Sequence, residues 1–261
     1  MKKLFSAALG VLIFAGCSTP KVALNGEGFR EMPVKGRNGF LIKQKLAIGD
    51  LTTSSVKRSW TRGSSSRSGL SIGNPTDAYY ENIISMEYTK RKQTISFTIA
   101  DAMKNSSEVR CVTKFRSDEL IVGNNPNSLL NIGIDLLRGI TSSNTFYAQI
   151  FINGQSKPWQ LLLDNIAVQD KPGSYTGVVA LDKENYYSLV PVNKMLDKNG
   201  LPRKILFGSV GIELRNRMDK AVAMVSFIDN GKVYMNTTDK LEEFLLTNIC
   251  AALLLQQEIG G

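Results

Sequence analysis

The sequence predicts a mainly β (α+β) fold, an antiparallel sandwich or partly open barrel with a mid-chain helix and a buried C-terminal helix. Three observations predict this class. Short segments alternate between apolar and polar residues, as strands with one buried face do. Turn-forming pairs such as Asn153-Gly154 and Asn230-Gly231 separate these segments and are typical of β-hairpins. The segment 239–257 instead has the apolar spacing of a helix.

The first β-rich region covers residues 40–123. Its clearest strand is 93–100, where Ile95, Phe97 and Ile99 share one face and threonine and serine residues occupy the other. The remaining strand candidates are 40–48, 52–61, 82–89, 108–115 and 119–122. Because they are separated by short polar turns, we expect them to pair as hairpins.

The period changes at Asn125-Pro126 in the middle of the chain. Asparagine is a favourable N-cap and proline suits the first helical position. An apolar stripe follows, so the pattern predicts a connecting helix over 126–140. Gly133 and Gly139 weaken this helix, each by roughly 1 kcal/mol relative to alanine.

The second β-rich region covers 145–236. Its strand candidates are 146–152, 155–163, 174–181, 186–192, 205–214, 221–228 and 232–236, with a loop at 197–202. In the last segment, Asp239 followed three residues later by Glu242 resembles a capping box. The helix beyond it is apolar nearly all round, which indicates burial. We interpret 39–257 as one β-rich domain, with 40–123 and 145–236 as its candidate halves.

The first sixteen residues have the organisation of a secretory signal peptide. Lys2 and Lys3 precede an apolar run over 4–14, and the small residues Ala15 and Gly16 follow it. A membrane-spanning helix needs about 20 apolar residues, so this run is too short to be one. Residues 1–16 are therefore predicted to be a signal peptide.

The stretch Phe14-Ala15-Gly16-Cys17 resembles the lipobox of bacterial lipoproteins, in which a small residue precedes an invariant cysteine. Phe14 stands where that family most often has leucine. The resemblance implies cleavage before Cys17, a lipid on its sulfur, and acylation of the new amino terminus. Two or more acyl chains hold a protein stably at a membrane. By analogy with enteric lipoproteins, Ser18 favours the outer membrane of the cell envelope over the inner one.

Residues 17–38 are rich in glycine, proline, asparagine and lysine without a sustained period, and we interpret them as a tether. The chain as a whole carries a formal charge of +9. Such an excess suits anionic partners in the envelope, such as lipid headgroups, lipopolysaccharide or acidic glycans. Other envelope proteins are the alternative partners. A nucleic-acid partner is not expected outside the cytoplasm.

The chain contains no histidine and three cysteines. This composition excludes Ser-His-Asp and Cys-His catalysis and histidine-ligated zinc. The sequence predicts no metal site and no cofactor. Cys111 and Cys250 are compatible either with a disulfide, given the oxidising compartment, or with two small core residues.

A basic segment surrounds Trp60. Its cations are Lys57, Arg58, Arg62 and Arg67. Arginine forks could bind phosphate or carboxylate groups here. The alternative is a solvated strand edge on which cations prevent edge-to-edge association.

Two functions from different classes remain open at this point. The first is a non-enzymatic binding or assembly module displayed by the lipid anchor, either alone or within a larger secretion or adhesion complex. The second is a carboxylate-dependent hydrolase of envelope glycans, for which the candidate acids are Asp118, Glu119, Asp164 and Glu213. These acids are not part of any recognisable catalytic signature, so no catalytic residue is assigned.

Overall fold

A computed structural model of the chain describes residues 20–37, 44–60, 93–115 and 144–256. Cys17, Arg62, Arg67, Asp118, Glu119 and the predicted helix 126–140 lie outside these ranges. Within them, most strands of both β-rich regions belong to one large sheet, so the fold is mainly β as predicted.

Strands dominate the described residues. They are β1 (Lys21–Val22), β2 (Arg30–Lys35), β3 (Ala47–Ile48), β4 (Leu51–Thr53), β5 (Lys57–Trp60), β6 (Gln93–Ala100), β7 (Ser106–Phe115), β8 (Thr145–Ile152), β9 (Trp159–Asp164), β10 (Gly177–Ala180), β11 (Tyr186–Val192), β12 (Lys194–Leu196), β13 (Pro202–Lys204), β14 (Gly211–Arg215), β15 (Ala221–Ser226) and β16 (Lys232–Met235). The described helices are α1 (Asn165–Asp170) and α2 (Lys240–Leu255).

Thirteen of these strands form one antiparallel sheet that closes on itself. The order is β4-β3-β2-β16-β15-β14-β11-β10-β9-β8-β7-β6-β5, and β4 also pairs with β6. Thr52 lies opposite Ala100, whereas Lys57 lies opposite Ser96, so β4 and β5 share one edge of β6. The closed circuit therefore runs through twelve strands. Of the two predicted arrangements, the structure has the barrel-like one, and its sheet is closed rather than partly open.

Helix α2 lies inside this closed sheet. It contacts β7 and β8 on one part of the circuit and β15 and β16 on another. Every residue from Phe244 to Leu255 is buried. Helix side chains and the inward side chains of the strands form one hydrophobic cluster. The predicted buried C-terminal helix is thus confirmed, and it fills the interior of the sheet.

Polar contacts lie at the start and in the middle of helix α2. The Asp239 carboxylate accepts hydrogen bonds from the amides of Leu241 and Glu242, as an N-cap does. Glu242 does not complete the predicted capping box, because its carboxylate instead accepts from the hydroxyls of Tyr187 and Thr237. Midway along the helix, Ser107 Oγ donates to Asn248 Oδ1 at 2.6 Å.

A smaller antiparallel sheet, β1-β12-β13, lies outside the closed one. Val22 of β1 is buried together with Val192, Met224 and Tyr234 of the larger sheet. The strands of the small sheet are only two or three residues long, so this apolar contact helps hold it in place. Among the described helices, none is long and apolar enough to cross a membrane.

Candidate functional site

The segment after the predicted lipid-bearing cysteine is folded almost from its start. Lys21 and Val22 pair with Leu196 and Met195, and the amide of Ala23 donates to the Lys194 carbonyl at 3.0 Å. Four residue steps separate Cys17 from Lys21, and covalent geometry limits them to about 14 Å. A lipid on Cys17 would therefore hold the small sheet close to the membrane.

This arrangement corrects the predicted tether over 17–38. Strand β2 belongs to the closed sheet, where it pairs with β16 and β3. Its only buried residues are Met32 and Val34, and the rest are exposed. Two apolar positions around a proline are too few to indicate a strand, so the alternation in this segment was missed. Because β2 is an integral strand, the chain between Cys17 and the folded domain is far shorter than predicted.

Glu213, one of the candidate acids, is buried in an ion pair. Only 1% of its side chain is exposed, and its Oε1 accepts from Arg215 Nε at 2.5 Å. Its Oε2 accepts from Asn25 Nδ2 at 3.0 Å. Burial lowers the pKa of Arg215, but the hydrogen bonds and charges of Glu213 and Asp219 together outweigh burial and raise that pKa overall. The Glu213 carboxylate therefore binds Asn25, in the segment after β1, and Arg215, at the end of β14.

Asp164, a second candidate acid, is the N-cap of α1. Its Oδ1 accepts from the amides of Ile166 and Ala167 at 2.9 and 3.0 Å. We predicted no helix at this point, because the six residues of α1 are too few to set up a helical period. The carboxylate satisfies amides that a helix start leaves unpaired, which is a structural role.

The basic segment is divided by the fold. Lys57 is exposed, but Arg58 turns to the C-terminal end of α2, where its guanidinium donates to the carbonyl of Leu255 at 3.0 Å and to Gln44 Oε1 at 3.3 Å. Burial lowers the pKa of Arg58. One guanidinium nitrogen of Arg58, Nη1, is buried without a hydrogen-bond partner. Arg62 and Arg67, the other two predicted anion ligands, lie outside the described residues.

A second arginine, which sequence reasoning missed, meets Arg58 at the same helix end. Arg37 Nε donates to the carbonyl of Leu254 at 3.0 Å, and its Nη1 donates to the carbonyl of Phe227 at 3.3 Å. Burial lowers the pKa of Arg37. Two cations at a helix C-terminus donate to carbonyls that lack partners within the helix, and they interact favourably with the negative end of the helix dipole. No local sequence pattern could have predicted that Arg37 and Arg58 lie close together, because both reach the end of α2 only when the sheet closes around it.

Both cysteines of the domain are free thiols. Cys111 points inward from β7 and Cys250 lies on α2, and both belong to the buried hydrophobic cluster. Burial raises the pKa of Cys250 to about 12. Burial also raises the pKa of Cys111, with Arg58 opposing the shift. In this environment both side chains act as small apolar groups of the core.

The segment between β13 and β14 differs from its prediction. The apolar run Ile205-Leu206-Phe207 was included in a strand over 205–214, but the strand begins only at Gly211. Leu206 and Phe207 are 89% and 88% exposed. Conversely, residues 194–196 and 202–204, beside or within the predicted loop, form β12 and β13. The exposed pair therefore lies directly after the outer strand of the small sheet.

Comparisons with protein-family models, with curated proteins and with solved structures found no match for this chain.

Proposed function

We propose that this protein is a lipid-anchored lipoprotein of the bacterial cell envelope, a non-enzymatic binding or assembly module attached through Cys17. The observation that carries the proposal is the N-terminal sequence itself, a signal peptide ending in a lipobox-like Phe14-Ala15-Gly16-Cys17. The membrane, reached through the lipid, is the first partner. The outer membrane is the proposed location because serine follows the cysteine.

Structural roles of the candidate catalytic groups support a binding module over a glycan hydrolase. A glycosidase of the common type needs one carboxylic acid to donate a proton and a second carboxylate to act as base or nucleophile. The Glu213 carboxylate is instead held between Arg215 and Asn25, and the Asp164 carboxylate accepts two backbone amides. The described candidates for the hydrolase therefore stabilise the fold.

The anchor can be tested by replacing Cys17 in the full-length protein, expressed in a bacterium with two membranes. In Cys17→Ala no thioether to lipid can form, so we expect the protein to move from the membrane fraction to the soluble fraction. Ser18→Ala is the matched control, and it should remain with the membranes. If Cys17→Ala stays membrane-bound to the same extent as the control, the anchor is refuted.

Separation of the two membranes on a density gradient tests the location. We expect the unaltered protein in the outer-membrane fraction and a larger share of Ser18→Asp in the inner-membrane fraction. An equal distribution of both proteins would contradict the proposed role of Ser18.

A further inference from the structure

We infer that the segment 201–207, which we call the edge segment, lies against the anionic surface of the membrane that holds the lipid anchor. The edge segment comprises strand β13 and the residues on either side of it. This inference rests on the proposed attachment through Cys17, and it names the surface of the folded domain that faces the lipid headgroups.

The edge segment lies close to the proposed lipid anchor. The edge segment belongs to the same small sheet as β1, with β12 between them, so it is two strand spacings from β1. Neighbouring strands lie about 4.8 Å apart. With at most about 14 Å of chain between Cys17 and Lys21, the whole small sheet lies within reach of the surface that the lipid enters.

The edge segment exposes three large apolar side chains. Leu201 precedes β13 and is 56% exposed, while Leu206 and Phe207 follow it and are almost fully exposed. Elsewhere among the described residues, large exposed apolar side chains stand singly, in turns as at Met103 and Met218 or on helices as at Ile166 and Leu241. Adjacent exposed leucine and phenylalanine are typical of surfaces that become covered by a partner or a bilayer interface.

The positive charge of the small sheet favours an anionic membrane over a neutral surface. The small sheet and its hairpin turn carry five exposed cations and one acid, Asp197, a net charge of +4. The cations are Lys21, Lys194, Lys198, Arg203 and Lys204. Asp197 pairs with Arg203, with 3.1 Å between Oδ2 and Nε. Cations next to exposed Leu and Phe match the headgroups and acyl boundary of an anionic bilayer.

The hairpin turn holds this surface in shape. Asp197 Oδ1 accepts from the amides of Asn199 and Leu201, both at 2.9 Å. Lys194 and Lys204 lie opposite each other in the ladder between β12 and β13. Two lysines in directly opposed positions repel each other. A nearby layer of phosphate groups would reduce that repulsion, so this pair of lysines would be more stable facing the membrane.

The test places an environment-sensitive fluorophore on the mature full-length protein in vesicles. Phe207→Cys provides the attachment site in the edge segment. Met218→Cys is the matched control, because Met218 is an apolar residue, 82% exposed, in the turn at the opposite end of β14. Cys111 and Cys250 are buried and should not react in the folded protein. The vesicles contain either phosphatidylethanolamine with phosphatidylglycerol or phosphatidylcholine alone.

In anionic vesicles, we expect the label at 207 to shift to the blue and to be quenched several-fold less by aqueous iodide than the label at 218. High salt, or phosphatidylcholine alone, should reduce the difference, because exposed charges are screened. Equal quenching of the two labels in protein that floats with the vesicles would overturn the membrane face and leave the anchor standing. Protein that does not float would overturn the anchor, and the inference with it.

Discussion

The interior of the closed sheet and the small sheet β1-β12-β13 use the same antiparallel pairing for opposite purposes. In the interior, strands present Leu, Ile, Val and Phe to a helix that is buried over twelve consecutive residues. In the small sheet, β13 is exposed along its whole length, and the apolar residues beside it face outward. The difference shows that one region determines stability, while the other is available for contact with a surface.

The contacts of arginine illustrate the same division. Arg37 and Arg58 are half-buried and donate to carbonyls at the end of α2. Arg203 is exposed and pairs with a carboxylate on its own hairpin. Removing a buried arginine leaves the carbonyl that it paired with buried and without a hydrogen bond. Removing an exposed arginine costs little, because water then hydrates its former partner. Substitutions of the same chemical kind should therefore have different costs in the two regions.

The largest contrast is expected in thiol reactivity. Burial raises the pKa of Cys250 to about 12, and an ordinary cysteine has a pKa of about 8.5, so the thiolate fraction at pH 7 falls by roughly a thousandfold. We expect maleimide to modify Met218→Cys at least that much faster than the two native thiols. Comparable rates would contradict the burial of Cys250.

The same reagent tests the free state of both native thiols. In protein with an acylated Cys17, unfolding without reductant should release two reactive thiols, Cys111 and Cys250. The same number should be found after treatment with reductant. A gain of two thiols only after reduction would show that the two cysteines are bonded in the isolated protein.

The next effect is on stability. Leu246 is fully buried in the interior cluster, so Leu246→Ala should lower the free energy of unfolding by about 2–5 kcal/mol. Leu206→Ala is the matched control in the edge segment and should change it by less than about 0.5 kcal/mol. Denaturant titration of both variants measures this difference. Similar losses would show that Leu206 packs against the folded domain.

A smaller effect is expected at the end of α2. Arg58→Met removes the donor to the Leu255 carbonyl and should cost about 1–3 kcal/mol of unfolding free energy. Lys57→Met removes the same charge at the adjacent, exposed position and should be nearly neutral. Denaturant titration again provides the measurement. Equal effects of the two substitutions would contradict the capping role of Arg58.

The smallest effect concerns the hairpin turn of the small sheet. Hydrogen bonds from the Leu201 amide and from Arg203 lower the pKa of Asp197. These contacts therefore stabilise the turn above the unfolded pKa of about 3.9 and are lost as the pH falls through the lower, folded value. The amide shifts of Asn199 and Leu201, followed by NMR from pH 6 to pH 2, should titrate below 3.9. A midpoint at or above 3.9 would contradict these contacts.

Regular alternation made the interior predictable from sequence. The strand 93–100 matches β6, and Asn153-Gly154 lies in the β8–β9 connection with φ values of 51° and 70°, which tight hairpins require. The C-terminal helix was recognisable as buried because it is apolar nearly all round. These features depend on neighbours in sequence, so a local pattern is enough to identify them.

The small sheet could not be predicted in the same way. Strands β1, β12 and β13 are too short to show a period, and the pairing of β1 with β12 joins residues more than 170 positions apart. The run Ile205-Leu206-Phe207 has the composition of a buried strand, but two of its three side chains are exposed. Composition alone does not distinguish apolar residues that pack inside a sheet from apolar residues that stay exposed.

We propose that Cys17 carries the lipid that brings the folded domain to the membrane. The mass of the N-terminal peptide, released by protease from protein purified out of the membrane fraction, tests it most directly. We expect a peptide that begins at Cys17 and is heavier than its amino-acid mass by a glyceryl group with two or three acyl chains. A peptide that retains residues 1–16, or one that begins at Cys17 with an unmodified thiol, would contradict it.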